Sequence, residues 1–326
     1  MTKNPKYTFL LPAYKGRFLD EMLRSIQGQT YKDFKVIISD DCSPEDLRSI
    51  CEPYLQDPRF TYRRNLENMG SKSLVSHWNI LVDMCVTDYC IMASDDDVYN
   101  TDFLLEINEL VKLYPNTNLF HARTCKIDAN GNIYQNDCLY EQYQSQIDYI
   151  AGFANPQRIL CVANFVYRTS ILKKTGGFID FPFAWKSDSA TNILMANNGI
   201  CNTSRILFSF RTSGQNITSM GNENSNVCLA KLEACYFFYK WFKKYIESLY
   251  PINLVEQYEL KQIRDRYKGR LLGEMMSYYL CTNYNQFRTL YFFLKKEGAL
   301  PNRYRRVTFA FYWVKNKMRN TYKSLF

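Results

Sequence analysis

The chain has 326 residues, of which 46% are hydrophobic, 16% aromatic and 22% charged. This composition excludes an intrinsically disordered chain, and the length suits one large or two modest domains. The eleven cysteines are scattered without a Cys-x-x-Cys pair, and only His77 and His121 could supply imidazole. We therefore expect reduced, mostly buried thiols and no structural zinc site.

The net charge of +9 is unevenly distributed. Residues 231–326 hold 19 basic and 7 acidic side chains, whereas residues 1–230 hold 22 and 25. This asymmetry indicates that the tail meets a polyanion, either nucleic acid or an anionic lipid surface. The sequence contains no apolar window long enough to span a membrane, and we expect no secretory signal before the first strand. We expect a cytoplasmic protein that associates peripherally with the inner face of the cell membrane.

Apolar runs and helical periodicities alternate along the first part of the chain. The expected strands are 7–11, 34–39, 59–63 and 89–93. Three helices are expected between them: the first spans 19–27, the second starts at Ser43–Pro44, and the third has its apolar face on residues 74–85. Such alternation predicts βαβ units in an open, mostly parallel α/β sheet, where ligands bind at the carboxyl ends of strands.

The pattern changes after Pro115. Further strands are expected at 119–123, at 125–134 with a turn at Asn130–Gly131, at 160–168 and at 206–211. Short helices are expected to end at Gly176–Gly177 and to span 190–197. From residue 227 the pattern is helical, at 227–248, 253–280, 284–297 and 303–323. We therefore predict an α/β domain at 1–226 and a basic, aromatic-rich helical region at 227–326.

Three consecutive carboxylates, Asp95, Asp96 and Asp97, follow the strand at 89–93. Neighbouring carboxylates repel one another, and a hard divalent cation such as Mg²⁺ or Mn²⁺ would relieve the repulsion. The alternative is an acidic loop before the helix that Thr101–Asp102 begins. The run alone does not decide between these two interpretations.

Other polar residues have a chemical and a structural interpretation. A carboxylate of Asp40–Asp41 could accept a hydrogen bond from a base N–H or from a sugar hydroxyl, or could set the turn before Ser43. Asp188 could be a general base or a helix N-cap. Arg211 could face a diphosphate or be a solvated residue at a strand end. There is no Gly-x-Gly-x-x-Gly, Walker loop or nucleophile elbow in the sequence.

Four segments together resemble the family 2 glycosyltransferases, which have a GT-A fold. They are Phe9-Leu10-Leu11-Pro12-Ala13-Tyr14, Ser25-Ile26-Gln27-Gly28-Gln29-Thr30, Val36-Ile37-Ile38-Ser39-Asp40-Asp41-Cys42-Ser43 and Ser94-Asp95-Asp96-Asp97-Val98-Tyr99. The likeness covers roughly residues 5–220. It implies inverting transfer from a nucleotide-diphosphate sugar, with Mn²⁺ or Mg²⁺ as cofactor, to a glycan or lipid-linked acceptor in surface polysaccharide synthesis.

The resemblance also implies roles for individual residues. It places Pro12, Ala13 and Tyr14 beside the nucleotide base, Asp41 on the base and Asp95 near the ribose. Asp96 would be the metal-binding carboxylate and Asp188 the catalytic base, and Arg211 with Gln215 to Ser219 resembles the loop over the diphosphate. The chain departs from the family pattern at Ser94, the usual first Asp of D-x-D, at Ser187, often Glu, and near Ser213, where a His is often found.

Two rival classes remain beside the enzyme. Ser94 favours a nucleotide-sugar-binding module without transfer activity, and the basic tail favours a nucleic-acid-binding protein. The segment 298–326 contains seven Lys and Arg and no acidic residue, which is typical of a helix on an anionic membrane surface. A tail helix packed on the domain is the alternative. We expect no nucleic-acid partner, because the acidic crevice would repel phosphates unless a metal bridged them.

Overall fold

The computed structural model describes residues 5–152, 157–214, 225–250 and 254–279, with single positions at 292, 295 and 314. The chain forms two compact units. The first comprises Met1–Asp180 and Ser187–Ser213, and the second comprises Phe181–Lys186 and Gly214–Phe326. The domain division 1–226 and 227–326 stays a prediction.

Ten strands in the described part of the chain form one mixed sheet. They are β1 (Tyr7–Ala13), β2 (Phe34–Asp40), β3 (Phe60–Arg64), β4 (Tyr89–Met92), β5 (Val98–Tyr99), β6 (Leu119–Ile127), β7 (Ile133–Asn136), β8 (Tyr143–Gln144), β9 (Phe165–Arg168) and β10 (Ile200–Arg211). Their order is β3-β2-β1-β4-β9-β6-β10-β5, with β7 beside β6 and β8 beside β10.

Most of the long strands run in one direction. β3, β2, β1 and β4 pair in parallel, and so do β6 and β10. Because β9 is antiparallel to both β4 and β6, these two groups share the same direction. The carboxyl ends of β1, β2, β4, β6 and β10 therefore lie along one edge of the sheet. This confirms the prediction of a mostly parallel α/β sheet.

Nine α-helices are present in the described ranges. They are α1 (Leu19–Gln27), α2 (Leu47–Cys51), α3 (Gly70–Met84), α4 (Phe103–Leu113), α5 (Gln146–Gly152), α6 (Thr169–Lys174), α7 (Ser187–Met195), α8 (Ser225–Ser248) and α9 (Leu254–Tyr279). The expected helices at 284–297 and 303–323 fall, apart from three single positions, outside the described residues. None of the described helices is both long and apolar enough to cross a bilayer.

An aromatic cluster in the core holds the segment after the acidic run. The ring of Tyr99 lies 5.1 Å from Phe9, 4.8 Å from Phe103 and 5.0 Å from Phe208, measured between centroids, with edge-on geometry in each case. Edge-on aromatic pairs of this kind stabilise by roughly 1 kcal/mol beyond the burial of their surface. Packing of Tyr99 against β1, α4 and β10 therefore anchors the loop that carries the three carboxylates.

The second helix does not begin at Ser43–Pro44. It begins at Leu47, and Asp46 is its N-cap, with a carboxylate oxygen 3.2 Å from the Ser49 amide. Ser43 has other partners, since its hydroxyl donates to the carbonyl oxygen of Tyr14 at 2.7 Å. The prediction that Ser43 is the N-cap of this helix is therefore wrong, because its side chain links the segments that follow β1 and β2.

Other boundaries differ from the expected ones. β1 continues through Pro12 to Ala13, and the strands expected at 119–123 and 125–134 are one strand, β6, followed by a turn at Gly131 (φ 87°) and then β7. Of the strand expected at 160–168, only β9 forms, preceded by a 3₁₀ turn at Val162–Asn164. Asp188 lies inside the first turn of α7, whereas the sequence places it before the helix.

Candidate active site

The loops after β1 and β4 meet through the carboxylate of Asp95. Its Oδ2 atom accepts hydrogen bonds from the backbone amides of Tyr14, at 2.9 Å, and Lys15, at 2.8 Å. Pro12 and Ala13 end β1, and the Ala13 carbonyl accepts from the Asp41 amide at 2.9 Å. Three strand ends therefore converge on one place. Lys15 is a member of this group that the sequence did not indicate.

The side chain of Asp41, which follows β2, contacts the amino-terminal end of α3 and the loop that precedes this helix. Oδ1 accepts from the Asn65 side-chain amide and the Met69 backbone amide, both at 2.8 Å, and Oδ2 accepts from the Gly70 amide at 2.7 Å. A carboxylate at a helix N-terminus satisfies free N–H groups and is stabilised by the helix dipole. The carboxylate accepts these three bonds and has about four acceptor positions in total.

Asp40 has a structural role in this arrangement. Its Oδ1 atom accepts from the Ser43 amide at 2.8 Å, and its Oδ2 atom accepts from the Tyr62 hydroxyl at 2.6 Å and from the Arg64 guanidinium. The side chain is fully buried. Asp40 thus sets the turn after β2, whereas Asp41 faces the loop that leads into α3.

Two hydroxyls hold the carboxylate of Asp96. Ser94 donates to Oδ1 at 2.7 Å, and Ser213 donates to Oδ2 at 3.0 Å. Ser94 and Ser213 stand at or near two positions where the sequence departs from the family pattern. The structure brings both onto the same carboxylate, a relationship that sequence spacing alone could not reveal because 117 residues separate Ser213 from Asp96.

Arg211 is buried beneath the acidic run. Its backbone amide donates to Asp97 Oδ1 at 2.8 Å, its Nε atom donates to the Asp96 carbonyl at 2.8 Å, and its Nη2 atom donates to Glu21 at 2.6 Å. The guanidinium also lies 4.4 Å from the centre of the Phe18 ring. These contacts fix the backbone of the acidic loop. The diphosphate contact of Arg211 stays a prediction.

The acidic run carries more negative charge than its surroundings compensate. Burial raises the pKa of Asp95, and the neighbouring Asp96 adds to this effect while Lys15 and the two backbone amides oppose it. Burial and then Asp96 also raise the pKa of Asp97 well above its ordinary value. Such shifts are typical of a site that gains stability from a bound cation.

The donor set fits a divalent ion only together with a ligand. In the described ranges there is no group of three His, Cys, Asp or Glu side chains that could enclose a metal ion. Mg²⁺ is commonly held by one or two protein carboxylates and completes its shell with water and substrate phosphates. The oxygens of Asp96 therefore fit a cation that a diphosphate helps to bind.

Asp188 lies half-buried in the first turn of α7, and its Oδ1 atom accepts from the Ser189 amide at 2.6 Å. It shares a neighbour with the acidic run, because both Asp97 and Asp188 raise the pKa of the Cys161 thiol after the larger effect of burial. Asp188 therefore lies within electrostatic range of the same partly buried thiol as Asp97.

A separate cavity of about 490 Å³ lies between α4 and the start of β10. Its lining includes Glu106, Glu109 and Asn202 to Ser204. Glu106 and Glu109 belong to α4 and residues 202–204 to the amino-terminal part of β10, whereas the acidic run meets the carboxyl end of that strand at Arg211. The cavity is therefore distinct from the candidate active site.

Solved structures with this architecture are GT-A glycosyltransferases. TarS 1-349 of S. aureus, in complex with UDP-GlcNAc, is 17% identical to this chain and superimposes on it with a TM-score of 0.57. The match covers 90% of this chain and 92% of the TarS chain. Mannosyltransferase PcManGT from Pyrobaculum calidifontis, in complex with GDP-Man and Mn²⁺, is 15% identical, covers 99% and 88%, and has a TM-score of 0.53. At these identities the likeness shows the fold, which is the GT-A fold.

The sequence identifies the family. Residues 8–176 match the model of glycosyl transferase family 2, and the chain belongs to this family. An uncharacterized glycosyltransferase of Haemophilus influenzae is 27% identical over 129 residues, and the GalNAc(5)-diNAcBac-PP-undecaprenol beta-1,3-glucosyltransferase of Campylobacter jejuni is 26% identical over 134. These matches cover 39% and 40% of this chain and 42% and 41% of the relatives.

Proposed function

We propose that this protein is an inverting glycosyltransferase that moves a sugar from a nucleotide-diphosphate donor to an acceptor hydroxyl. The observation that carries the proposal is the junction of three strand ends, where Asp95 binds the amides of Tyr14 and Lys15 and Ala13 accepts from Asp41. Ligands of open α/β sheets bind at this edge. Family membership supports sugar transfer at the same place.

The nucleotide base is assigned to the β1 and β2 ends. Asp41 accepts three hydrogen bonds, which leaves about one acceptor position for a base N–H. The Tyr14 side chain is 39% exposed and offers an aromatic face beside it. Pro12 and Ala13, which end β1, are assigned to the side of the base, and Asp95 is assigned to the ribose.

Asp96 is the residue assigned to a divalent cation, Mn²⁺ or Mg²⁺. When bound, such an ion neutralises negative charge on a diphosphate leaving group. Asp96 is held for this task by Ser94 and Ser213, and Arg211 fixes the loop beneath it. The positive charge of a bound ion would oppose the raised pKa values of Asp95 and Asp97 and favour their ionised forms.

Asp188 is assigned as the general base. The acceptor oxygen attacks the anomeric carbon, the bond from that carbon to the diphosphate oxygen breaks, and the acceptor proton passes to Asp188. The nucleoside diphosphate leaves from the opposite face, so the anomeric configuration inverts. The Ser189 amide donates to Oδ1 of Asp188, which helps to hold the carboxylate in the first turn of α7.

The acceptor is proposed to be a glycan or lipid-linked sugar of surface polysaccharide synthesis. The Campylobacter jejuni relative bears a name that includes a PP-undecaprenol acceptor, which supports a lipid-linked substrate. Such an acceptor would bring the enzyme to an anionic membrane surface, where the basic residues after 298 could bind. That segment lies outside the described residues, apart from position 314.

A panel of nucleotide sugars, each with Mn²⁺, Mg²⁺ or EDTA, tests the proposal. Thermal shift identifies the donor that binds, and release of its nucleoside diphosphate in the presence of acceptor glycans measures transfer. We expect one donor to give metal-dependent stabilisation and turnover, and Asp96→Ala to abolish both. Stabilisation without turnover by any acceptor would instead support a binding module without transfer activity.

A further inference from the structure

His77 lies behind the Asp41 carboxylate and is completely buried on α3. Its Nε2 atom is 2.9 Å from the Ser39 hydroxyl and 3.3 Å from Asn65 Nδ2, and its Nδ1 atom is 3.6 Å from Asp41 Oδ1. Nδ1 makes no hydrogen bond to any described residue. A buried ring nitrogen of His77 therefore faces the Asp41 carboxylate without a hydrogen bond to it.

Neighbouring hydrogen bonds determine which nitrogen carries the proton. Asn65 Oδ1 accepts from Arg63 at 3.1 Å, and Asn65 Nδ2 donates to Asp41 at 2.8 Å, so both bonds give the amide the same orientation. Nε2 of His77 then faces an N–H group and must accept. In a neutral imidazole the proton therefore resides on Nδ1 and points toward Asp41.

Charge and burial agree with a neutral ring. Burial is the largest influence on the pKa of His77 and lowers it, the Arg63 guanidinium lowers it further, and Asp41 opposes both. A neutral imidazole contributes an N–H dipole toward Asp41 and leaves the carboxylate its full negative charge. Ser39, on β2, supports the ring from the other side.

We propose that His77 is a positioning residue of the nucleotide site: with Asn65, it braces the Asp41 carboxylate so that one oxygen position stays directed at a base N–H. This rests on the proposed function, which assigns Asp41 to the base. His77 touches neither the sugar nor the acceptor, so its loss changes donor binding and not the chemical step. The KM for the donor rises while kcat is retained.

Calorimetric titration of the intact chain with UDP and with GDP, at saturating Mn²⁺, tests the inference. We expect His77→Leu to weaken binding of the preferred nucleotide about tenfold, because the Asp41 carboxylate loses the imidazole N–H dipole that orients it. His77→Asn keeps an N–H near the position of Nδ1 and should stay within about threefold of the wild type. Ser39→Ala, a smaller change, should give an intermediate loss.

His121 provides a matched control. It is equally buried, and its ring nitrogens lie 3.1 Å from Asn202 Oδ1 and 3.1 Å from Asn164 Nδ2. His121→Leu should lower the melting temperature as His77→Leu does and leave nucleotide affinity unchanged. If the two variants weaken nucleotide binding equally, His77 acts only through stability and the inference is overturned.

A double-mutant cycle separates this inference from the proposed function. If His77 acts through Asp41, adding His77→Leu to Asp41→Asn causes almost no further loss of affinity. Additive losses overturn the positioning role while leaving Asp41 on the base. Unchanged affinity in Asp41→Asn alone, or no binding of UDP or GDP by the wild type, overturns the nucleotide assignment itself.

Discussion

The hydroxyl of Ser213 donates to Asp96 Oδ2 at 3.0 Å and so links the end of β10 to the loop after β4. Ser94 donates to the other oxygen of the same carboxylate at 2.7 Å. Both donors are neutral, so the charge of Asp96 is held in place without an ion pair to its side chain in the described structure. Such a carboxylate retains affinity for a cation.

Replacement of Ser94 by Asp tests whether this loop binds a cation. Ser94→Asp adds a fourth carboxylate to a run in which the pKa values of Asp95 and Asp97 are already raised by burial and by Asp96. We expect a lower melting temperature in EDTA and a larger stabilisation by Mn²⁺ than in the wild type, because the ion relieves the added repulsion. Scanning fluorimetry across a Mn²⁺ titration measures both effects.

The matched control is Ser94→Asn, which adds similar volume without charge. It should show the small Mn²⁺ response of the wild type or less. An equal Mn²⁺ response in Ser94→Asp and Ser94→Asn would contradict a cation site at Asp96.

Loss of the base at Asp188 should stop transfer while donor binding persists. Asp188→Asn keeps an oxygen for the Ser189 amide and removes only the proton acceptor. We expect turnover to fall by ~10²–10⁴-fold, the usual contribution of a positioned base. Asp180→Asn is the control, since that exposed carboxylate accepts from Ser73 at 2.9 Å and should leave turnover intact. Near-normal turnover in Asp188→Asn would show that another group accepts the proton.

Substitution of Gly70, the first residue of α3, tests the contact between this helix and the Asp41 carboxylate. A Cβ atom at this position would lie 2.9 Å from Asp41 Oδ2, so Gly70→Ala must displace the carboxylate. We expect nucleotide affinity to fall roughly fivefold, equivalent to about 1 kcal/mol. Gly269→Ala is the control, because nothing lies within 4 Å of its added methyl group. Equal nucleotide affinity in both variants would remove Asp41 from the base site.

The sequence predicts the sheet and the strand ends better than the contacts between them. Period and length suffice for β1, α1 and β2, because their buried faces are local patterns. The predicted N-cap at Ser43 is wrong because the Ser43 hydroxyl donates to the carbonyl oxygen of Tyr14, 29 residues away in the sequence. The Ser213–Asp96 bond likewise depends on strand order, which no local pattern encodes. The apolar face at 74–85 predicts α3, but not that the Asp41 carboxylate accepts from the Met69 and Gly70 amides at the start of this helix.

Acid should destabilise the fold through its buried histidines. Burial, with Arg158 adding to it, lowers the pKa of His121 to about 3. In the unfolded chain a histidine titrates near 6.5, so between about pH 6.5 and 3 the unfolded state binds a proton that the folded state does not. Stability therefore falls as the pH drops through this window, by up to about 1.4 kcal/mol per unit for this group.

Chemical denaturation of wild type and His121→Gln between pH 7.5 and 4 measures that contribution. The glutamine variant should be less stable at pH 7.5, since glutamine cannot reproduce both hydrogen bonds of the imidazole ring. It should also lose less stability on acidification, because it has no group that titrates in this range. Parallel pH profiles for the two proteins would mean that His121 is protonated in the folded state or contributes no linkage.

In the second compact unit, Glu274 of α9 holds the segment 185–186. Its carboxylate accepts from Trp185 Nε1 at 3.1 Å and pairs with Lys186 Nζ at 2.8 Å. Burial is the largest single influence on the pKa of Lys186 and lowers it, but Glu274, with smaller contributions from Tyr267 and Cys235, raises the pKa overall. Three residues of the segment Phe181–Lys186, namely Phe183, Ala184 and Lys186, have positive φ angles, which cost free energy for residues other than glycine.

Glu274→Gln should therefore release a strained segment and leave a partly buried ammonium without its carboxylate. We expect a loss of about 2 kcal/mol in the free energy of unfolding, as for a charged hydrogen-bonded pair. Glu247→Gln is the control, because that carboxylate lies 3.6 Å from Arg264 and is 43% exposed, where ion pairs contribute well under ~1 kcal/mol. Urea denaturation followed by tryptophan fluorescence compares the two, and equal losses would show that the Lys186 pair is no stronger than a surface contact.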